Sequence, residues 1–174
     1  MHDESSRQIR DDTEAECRRF LYAESRLLDR RQLRDWLAML SPEIDYRIPV
    51  RQTVMRNHGE GFSDKSFFME EDFGSLSLRV KRLESDYALS ENPPTRTRRI
   101  VGNVELTSMR GDNEASVYSS LIVCCFRGDK PNPAFLTAER QDELCRIDDG
   151  WKLKRRLVLL DTTVLGMESL SIFL

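Results

Sequence analysis

The stretch that decides the fold of this chain is Pro93–Leu106, PPTRTRRIVGNVEL. Its two prolines start an extended segment, three arginines follow within four residues, and the alternating β-branched residues after them are typical of a half-buried strand. Gly102 inside this strand suits the β-bulge that a bending sheet requires. The pattern before the stretch is mainly helical and the pattern after it is that of strands, so the stretch is predicted to open a sheet.

Apolar residues at helical spacing predict three helices upstream of this stretch. The first begins near Thr13, because Glu16 completes a capping box with it. The second covers Arg31–Leu40, and the third has Leu76 and Tyr87 on its apolar face and ends before Ser90. We expect residues 1–12 to be flexible.

The segment between the second and third helices is predicted in two parts. Ile44–Val50 alternates in polarity and predicts a strand, which Pro49 places at a sheet edge or at the strand's end because proline cannot donate a ladder hydrogen bond. Residues 51–75 are predicted to form a long loop. A loop of this length with crowded phenylalanines favours packing against a partner.

Downstream, short turns separate four strands that should pair antiparallel. These strands run from the opening stretch to Met109, and over Ala115–Phe126, Phe135–Ile147 and Trp151–Asp161. The second of them is apolar on both faces in its latter half, so both faces are expected to be covered. The apolar ending Ile172–Leu174 is expected to dock against this sheet or against a neighbour. The element order predicts one domain over residues 1–174, an α+β cone whose helices cover the concave face of a curved, mostly antiparallel sheet.

Charge and hydropathy exclude several function classes. Lys and Arg number 27 against 30 Asp and Glu, a net charge of -3, which argues against a general nucleic-acid binder. No apolar stretch is long enough for a membrane span or has the form of a signal peptide. We therefore expect a cytoplasmic protein with neither a nucleic-acid nor a membrane partner.

Metal-ligating and nucleophilic residues are scarce. The chain has two histidines, and its four cysteines lack the spacing of a zinc or redox site. Zinc, non-haem iron and Ser-His catalysis normally depend on histidines held by ordered elements. Three of the cysteines fall in apolar, strand-like stretches, where we expect small buried hydrophobes, and we expect no catalytic, cofactor-binding or metal-binding residue in this chain.

A competing hypothesis is an acid-base pocket between the sheet and the helices, which would make the chain a free-standing NTF2-like lyase or isomerase. The candidate residues are Tyr22, Glu24, Asp45, Tyr46, Asp86 and Tyr87. Glu24 stands where the spacing of the first helix predicts an apolar residue. It is either a rim carboxylate, paired with a nearby arginine such as Arg26 or with one further off, or a buried acid in a pocket.

Three blocks, in the same order along the chain, resemble the small (β) subunit of aromatic-ring-hydroxylating oxygenases. They are FLYAESRLLDRRQLRDWLAMLSPEIDYRIPVR, PPTRTRRIVGNVEL and DGWKLKRRLVLLDTTVLGMESLSIFL. Residues 53–75 and Cys125–Cys145 depart from the family pattern. The resemblance implies a cystatin-like or NTF2-like cone and a non-catalytic structural subunit in the catabolism of aromatic compounds.

The resemblance also implies partners and cofactors. The small subunits form a trimer and assemble with large (α) subunits into an α3β3 hexamer. The large subunit carries a Rieske [2Fe-2S] cluster and a mononuclear iron, and a separate reductase supplies electrons from NAD(P)H. A Rieske centre and a facial-triad iron both require histidines that this chain lacks, so the chemistry is expected in the partner.

The arginines of the opening stretch have two interpretations. Arg96, Arg98 and Arg99 either brace the sheet as surface charges or pair with carboxylates of another subunit. The same candidate interface takes in four aromatic residues: Phe67, Phe68, Phe73 and Phe173.

The last two strands predict one cross-strand ion pair. A two-residue turn at Asp149 and Gly150 would set Glu143 opposite Arg156. Such a pair is expected to stabilise the outer face of the sheet.

Overall fold

A six-stranded sheet with helices on one face organises the computed structural model, which describes residues 2–56, 59–85, 93–129, 131–148, 150–167 and 169–174. The helices are α1 (His2–Asp29), α2 (Leu33–Leu37) and α3 (Phe73–Leu83). The strands are β1 (Leu40–Arg51), β2 (Phe62–Glu71), β3 (Arg96–Arg110), β4 (Glu114–Phe126), β5 (Ala134–Ile147) and β6 (Gly150–Leu160).

The strands lie in the order β2-β1-β6-β5-β4-β3. β1 runs parallel to β6, and the other neighbouring pairs are antiparallel. This confirms the predicted α+β class with a curved, mostly antiparallel sheet and N-terminal helices.

Period-two alternation gives the sheet an inner face toward the helices and an outer face away from them. The buried residues of β4 are Ala115, Val117, Ser119, Leu121, Val123 and Cys125. α1 packs mainly along β3 and adds Cys17, Leu21 and Leu28 to the same core. The core therefore lies between α1 and the inner face.

Side chains of α1 also cover part of the β3 edge. Asp29 Oδ2 accepts a hydrogen bond from the backbone N–H of Arg99 at 2.9 Å, and Arg10 donates to the carbonyl oxygen of Leu106. An uncovered strand edge leaves backbone groups open to pairing with another chain. The long first helix thus both supplies the core and closes an edge of the sheet.

The start of the first helix and the end of the second differ from the prediction. α1 begins at His2, so the predicted start at Thr13 is wrong, and Thr13 lies buried within the helix. The second helix ends at Leu37, and Leu40 begins β1 instead of closing that helix. Residues with helical spacing can continue into a strand when their side chains reach the same core, which is the case for Trp36 and Leu40.

The predicted loop over residues 51–75 is also wrong, because it contains β2 and the start of α3. β2 has mixed burial and pairs with β1 through two register shifts, so the alternation that marks a strand is missing from its sequence. α3 begins earlier than predicted, after a capping box between Asp72 and Ser75. It ends at Leu83, earlier than predicted, and the rest of the predicted helix from residue 86 onward lies outside the described residues.

The predicted bulge in β3 is confirmed, since the pairing of β3 with β4 shifts between Gly102 and Glu105. Asn103 there adopts a φ of 50°, in the left-handed region. The four strands after residue 95 and their antiparallel pairing are also confirmed.

The predicted pairing of Glu143 with Arg156 is wrong by one residue. Ile147 pairs with Gly150 where the two strands meet, and a register shift follows between Glu143 and Leu144. Arg155 therefore lies opposite Glu143, and Arg156 lies opposite Asp142. A shift of one residue moves a side chain to the other face of a sheet. Arg156 is consequently buried on the inner face.

Candidate functional site

Four charged side chains lie buried between α1 and the sheet, each at most 2% exposed. Glu24 comes from α1, Arg140 and Asp142 come from β5, and Arg156 comes from β6. We call these four residues the interior charge cluster. Charged groups are almost never fully buried unless they are paired, so the contacts within this cluster decide what it can do.

The local sequence explains how each charge reaches the interior. In β5, Arg140 and Asp142 occupy inward positions between the buried Ala138 and Leu144. Glu24 lies one helical turn from Leu21 on the buried face of α1. The strand and helix periods that bury apolar residues therefore bury these charges as well.

Arg156 is the centre of the cluster. Its guanidinium donates to Asp142 at 2.7 and 2.8 Å and to Glu24 at 2.7 and 2.8 Å. Its fifth N–H donates to the backbone oxygen of Leu174 at 2.9 Å. All five donors of the side chain are thus used, in two bidentate pairs and one bond to the tail.

Arg140 is less completely bonded than Arg156. Its Nε donates to Ser119 Oγ at 3.2 Å, and its Nη1 lies 3.5 Å from Glu24 Oε2 as an ion pair. Within the described part of the chain, Nη1 and Nη2 of Arg140 have no hydrogen-bond partner. Trp36 Nε1 donates to Glu24 Oε1 at 3.1 Å and completes the environment of that carboxylate.

The electrostatics keep the cluster charged. Burial opposes ionisation of Glu24, but Arg156 and Arg140 outweigh it, so the pKa of Glu24 lies below its ordinary value. Burial and the like charge of Arg156 lower the pKa of Arg140 to about 10. Burial also acts against charged Arg156, yet Asp142 and Glu24 raise its pKa well above the ordinary value.

The tail, residues 161–174, closes the space beside the cluster. Tyr46 Oη donates to the backbone oxygen of Leu174 at 2.7 Å and accepts from the Leu174 N–H at 2.8 Å. The ring of Phe173 stacks on Trp36 at 4.2 Å between centroids. The predicted docking of Ile172–Leu174 is therefore confirmed, and the surface it packs against belongs to this chain.

This arrangement leaves little scope for acid-base chemistry in the interior. Glu24 and Asp142 are held by Arg156, and burial raises the pKa of Tyr46, whose hydroxyl is engaged by the tail. A groove of about 270 Å³ lies on the outer face, and its lining contains none of the predicted pocket residues.

The predicted pocket residues are not brought together as a set. Glu24 and Tyr46 both lie by the interior charge cluster, whereas Tyr22 is 46% exposed. Asp45 is bonded to Arg47 at 2.7 Å. Asp86 and Tyr87 lie outside the described residues. The interpretation of Glu24 as a rim carboxylate is wrong; it is a buried acid, bound to Arg156 rather than Arg26.

Two members of the predicted interface require correction. Arg99 is buried, donates to Asp29 Oδ1 at 2.6 Å and donates to the carbonyl oxygen of Phe173 at 2.5 Å, so it braces its own chain. Phe173 is 2% exposed and packs inside the chain. Arg96 and Arg98 are exposed, and the remaining residues of the predicted interface are half-buried: Phe67, Phe68 and Phe73.

Apolar side chains next to Arg96 and Arg98 form an exposed patch on the outer face. This outer patch comprises Ile100, Ile122, Phe126 and Phe135, which are 39% to 60% exposed. Ile100 pairs with Ile122 across β3 and β4, and Arg96 pairs with Phe126. The expectation that both faces of β4 are covered therefore fails within the isolated chain at Ile122 and Phe126.

The sequence interpretation missed the roles of Arg140, Asp29 and the Asp142–Arg156 pair. For Arg140 and Asp142 a signal existed, because they continue the alternation of Leu136 and Ala138 along β5. Asp29 gave no local signal, since its partner Arg99 lies 70 residues away in sequence.

The cofactors that the resemblance implies need clusters of metal-ligating side chains. Among the described residues, no group of three or more His, Cys, Asp or Glu side chains is placed to hold a metal ion. With two histidines in the whole chain, the donor set does not fit a Rieske cluster together with a facial-triad iron. No helix in the described part of the chain is long and apolar enough to cross a membrane.

The family model for the ring hydroxylating beta subunit matches residues 23–167. The benzene 1,2-dioxygenase subunit beta of Pseudomonas putida is 31% identical over 163 residues, covering 91% of this chain and 87% of that protein. A solved naphthalene 1,2-dioxygenase with indole in its active site is similar at a TM-score of 0.82 and 22% identity, over 92% of this chain and 85% of that one.

A second solved structure is similar in fold as well. A putative scytalone dehydratase from Novosphingobium aromaticivorans matches at a TM-score of 0.62 and 15% identity, over 93% of this chain and 89% of that one. This likeness concerns the fold alone, whereas the family model and the relative that is 31% identical concern the sequence. The chain belongs to the family of ring-hydroxylating β subunits and is the β subunit of an aromatic-ring-hydroxylating dioxygenase.

Proposed function

We propose that this chain is a non-catalytic assembly subunit that supports an iron-bearing α subunit in the catabolism of aromatic compounds. The observation that carries the proposal is the filled interior. Where an acid-base pocket would lie, Arg156 binds both carboxylates and the tail covers Tyr46. A side chain committed in this way is poorly suited to exchange protons with a substrate.

The redox centres belong to the partner in this proposal. A Rieske [2Fe-2S] cluster and a mononuclear iron would be held by the α subunit, with electrons from NAD(P)H delivered by a separate reductase. The shortage of histidines in this chain supports placing both iron centres in the α subunit. The part of this chain is to bind and orient the subunit that reacts.

The outer patch is the proposed contact with the α subunit in an α3β3 assembly built on a β trimer. Ile100 and Phe135 are 58% and 60% exposed, and burying such apolar surface favours association. Arg98 beside them is exposed, and guanidinium groups suit interfaces that carry carboxylates. Charged rims of this kind add specificity to an apolar contact.

A cytoplasmic location fits the cysteines. Cys17, Cys124, Cys125 and Cys145 are all free thiols. Free thiols persist in a reducing compartment, which supports the cytoplasm as the site of the assembled enzyme.

Co-expression with the α subunit tests the proposal. We expect a complex of hexamer size by light scattering, with iron that follows the α subunit when the subunits are separated and no turnover by the isolated chain. An isolated chain that binds iron or converts an aromatic substrate would contradict a non-catalytic role. A failure to associate with the α subunit would contradict the assembly role.

A further inference from the structure

The tail binds the interior mainly through side chains of other elements. Residues 161–174 contain no helix or strand within their described part, yet Ile172–Leu174 are buried. The groups that hold them are Trp36, Tyr46, Arg99 and Arg156. The end of the tail is thus an irregular segment held by side chains of other elements, and it makes the kinds of contact that a bound ligand makes.

The contacts of the tail show which chemical groups a ligand in its place would need. Phe173 supplies a flat ring, which stacks on Trp36 at an interplanar angle of 25°. Its carbonyl oxygen accepts from Arg99 Nη2 at 2.5 Å. The backbone oxygen of Leu174 accepts from Tyr46 Oη and Arg156 Nη1. The tail therefore stands in for an aromatic ring joined by a short chain to acceptor oxygens.

The groups that the tail engages are almost entirely donors. Without the tail, N–H groups of Arg99 and Arg156 and the hydroxyl of Tyr46 would lose their acceptors. Arg140, fully buried beside Glu24, also has two nitrogens without a hydrogen-bond partner among the described residues. Unpaired buried donors are costly, so a replacement must bring acceptor oxygens, and a carboxylate has more acceptor capacity than a carbonyl.

We propose that the interior of the cone is a ligand site closed by the chain's own tail, and that it takes arylpropanoic acids when the tail is displaced. 3-Phenylpropionate has the carbon skeleton of a phenylalanine residue. Its ring would stack on Trp36 and a carboxylate oxygen would take the place of the Phe173 carbonyl oxygen on Arg99. The site is separate from the outer patch, so its occupancy and subunit assembly can be measured independently.

Because the tail and the acid compete, weakening the tail should strengthen binding of the acid. The full-length chain is compared with Phe173→Ala and with Val164→Ala, a matched variant in the same segment whose side chain is 76% exposed. In calorimetric titrations with 3-phenylpropionate, we expect Phe173→Ala to bind about tenfold more tightly or better, since it raises the fraction of open site. Val164→Ala is expected to match the unmodified chain.

Two analogues test the two halves of the ligand. 3-Cyclohexylpropionate lacks the aromatic ring and 3-phenylpropan-1-ol lacks the carboxylate, and each is expected to bind Phe173→Ala about tenfold more weakly than 3-phenylpropionate. A folded Phe173→Ala variant that binds the acid no better than the unmodified chain overturns the proposal. So does equal binding of all three compounds.

Hydrogen exchange of the unmodified chain tests displacement of the tail without the Phe173→Ala variant, and so also applies if that variant does not fold. The Leu174 N–H donates to Tyr46 Oη at 2.8 Å and should exchange faster at saturating 3-phenylpropionate, because the acid displaces the tail. Exchange at Leu174 that is unchanged or slower under saturation overturns the proposal.

Discussion

Arg155 and Arg156 are neighbours in β6, yet they lie in opposite environments. The side chain of Arg155 is 49% exposed on the outer face and has Glu143 as a partner at 3.4 Å, whereas that of Arg156 is fully buried between Glu24 and Asp142. The residue type is the same, so the difference comes from the face of the sheet. A guanidinium is a solvent-exposed charge on one face and a buried, fully hydrogen-bonded part of the core on the other.

The contrast between these two arginines extends to the two faces of the whole sheet. The interior charge cluster, with two arginines and two carboxylates whose charges balance, lies against the inner face together with the buried end of the tail. The outer face exposes the apolar outer patch, with Arg96 and Arg98 beside it. The inner face is covered within the chain, while the outer face has the features of a surface that another subunit covers.

The largest effect is expected from removing Arg156. Arg156→Met leaves Glu24 and Asp142 buried without their main partner, which should lower the free energy of unfolding by about 3–5 kcal/mol. Urea unfolding followed by circular dichroism measures the change. Arg155→Met is the matched control and should cost about 1 kcal/mol or less. Equal losses for the two variants would contradict the contrast between the faces.

Glu24→Gln should change how stability depends on pH. The pKa of Glu24 in the folded chain lies below its ordinary value of 4.5, so its ionised form stabilises the fold above that pH. This contribution is lost as the pH falls from 4.5 through the lower folded pKa. Glu24→Gln removes the charge, so we expect roughly 1.5–3 kcal/mol less stability at neutral pH and a flatter decline in acid.

Unfolding free energies from pH 7 to pH 3 check this prediction. The matched control is Glu143→Gln, which changes an exposed carboxylate on the outer face. A decline in acid that is as steep for Glu24→Gln as for the unmodified chain would show that Glu24 is not the group responsible.

Much of the sheet could be predicted from the sequence, because β3 to β6 alternate clearly and are joined by short turns. The charge cluster could not, because its partners meet only after the chain has folded. Glu24 and Arg156 are 132 residues apart, and the bulge in β5 and β6 that turns Arg156 inward changes the register by a single residue. Local patterns indicate that a charge sits at an inward position, but they do not reveal which opposite charge will meet it.

The start of α1 was also mispredicted, in this case because a local signal pointed to a later residue. Residues 2–12 are too polar to mark a buried helical face, and a capping box at Thr13 gave a plausible start. The helix extends further, and Arg10 within this part reaches the backbone of Leu106 in β3. A contact between α1 and the edge of β3 is a tertiary effect that local propensity does not contain.

The outer patch should matter for assembly and little for the stability of the chain. Ile100→Ser with Arg98→Ala should weaken association with the α subunit about tenfold, or about 1.4 kcal/mol, while the unfolding free energy of the isolated chain stays nearly unchanged. Size-exclusion chromatography of the co-expressed subunits should show more free subunits. Leu78→Ser, at an exposed leucine on α3, is the control that should leave assembly intact. Unchanged assembly in the double variant would contradict a contact between the outer patch and the α subunit, and Arg98 would then be a surface charge without a role in assembly.

The smallest effect is expected for the ion pair between Arg155 and Glu143. A double-mutant cycle with Arg155→Ala and Glu143→Ala should give a coupling free energy of about 0.2–1 kcal/mol, since both side chains remain in water and are screened by salt. Repeating the cycle in about 1 M salt should reduce the coupling further. A coupling as large as the loss expected for Arg156→Met would mean that the outer face is covered within the isolated chain. The contrast between the two faces would then be weaker than the exposure of Arg155 indicates.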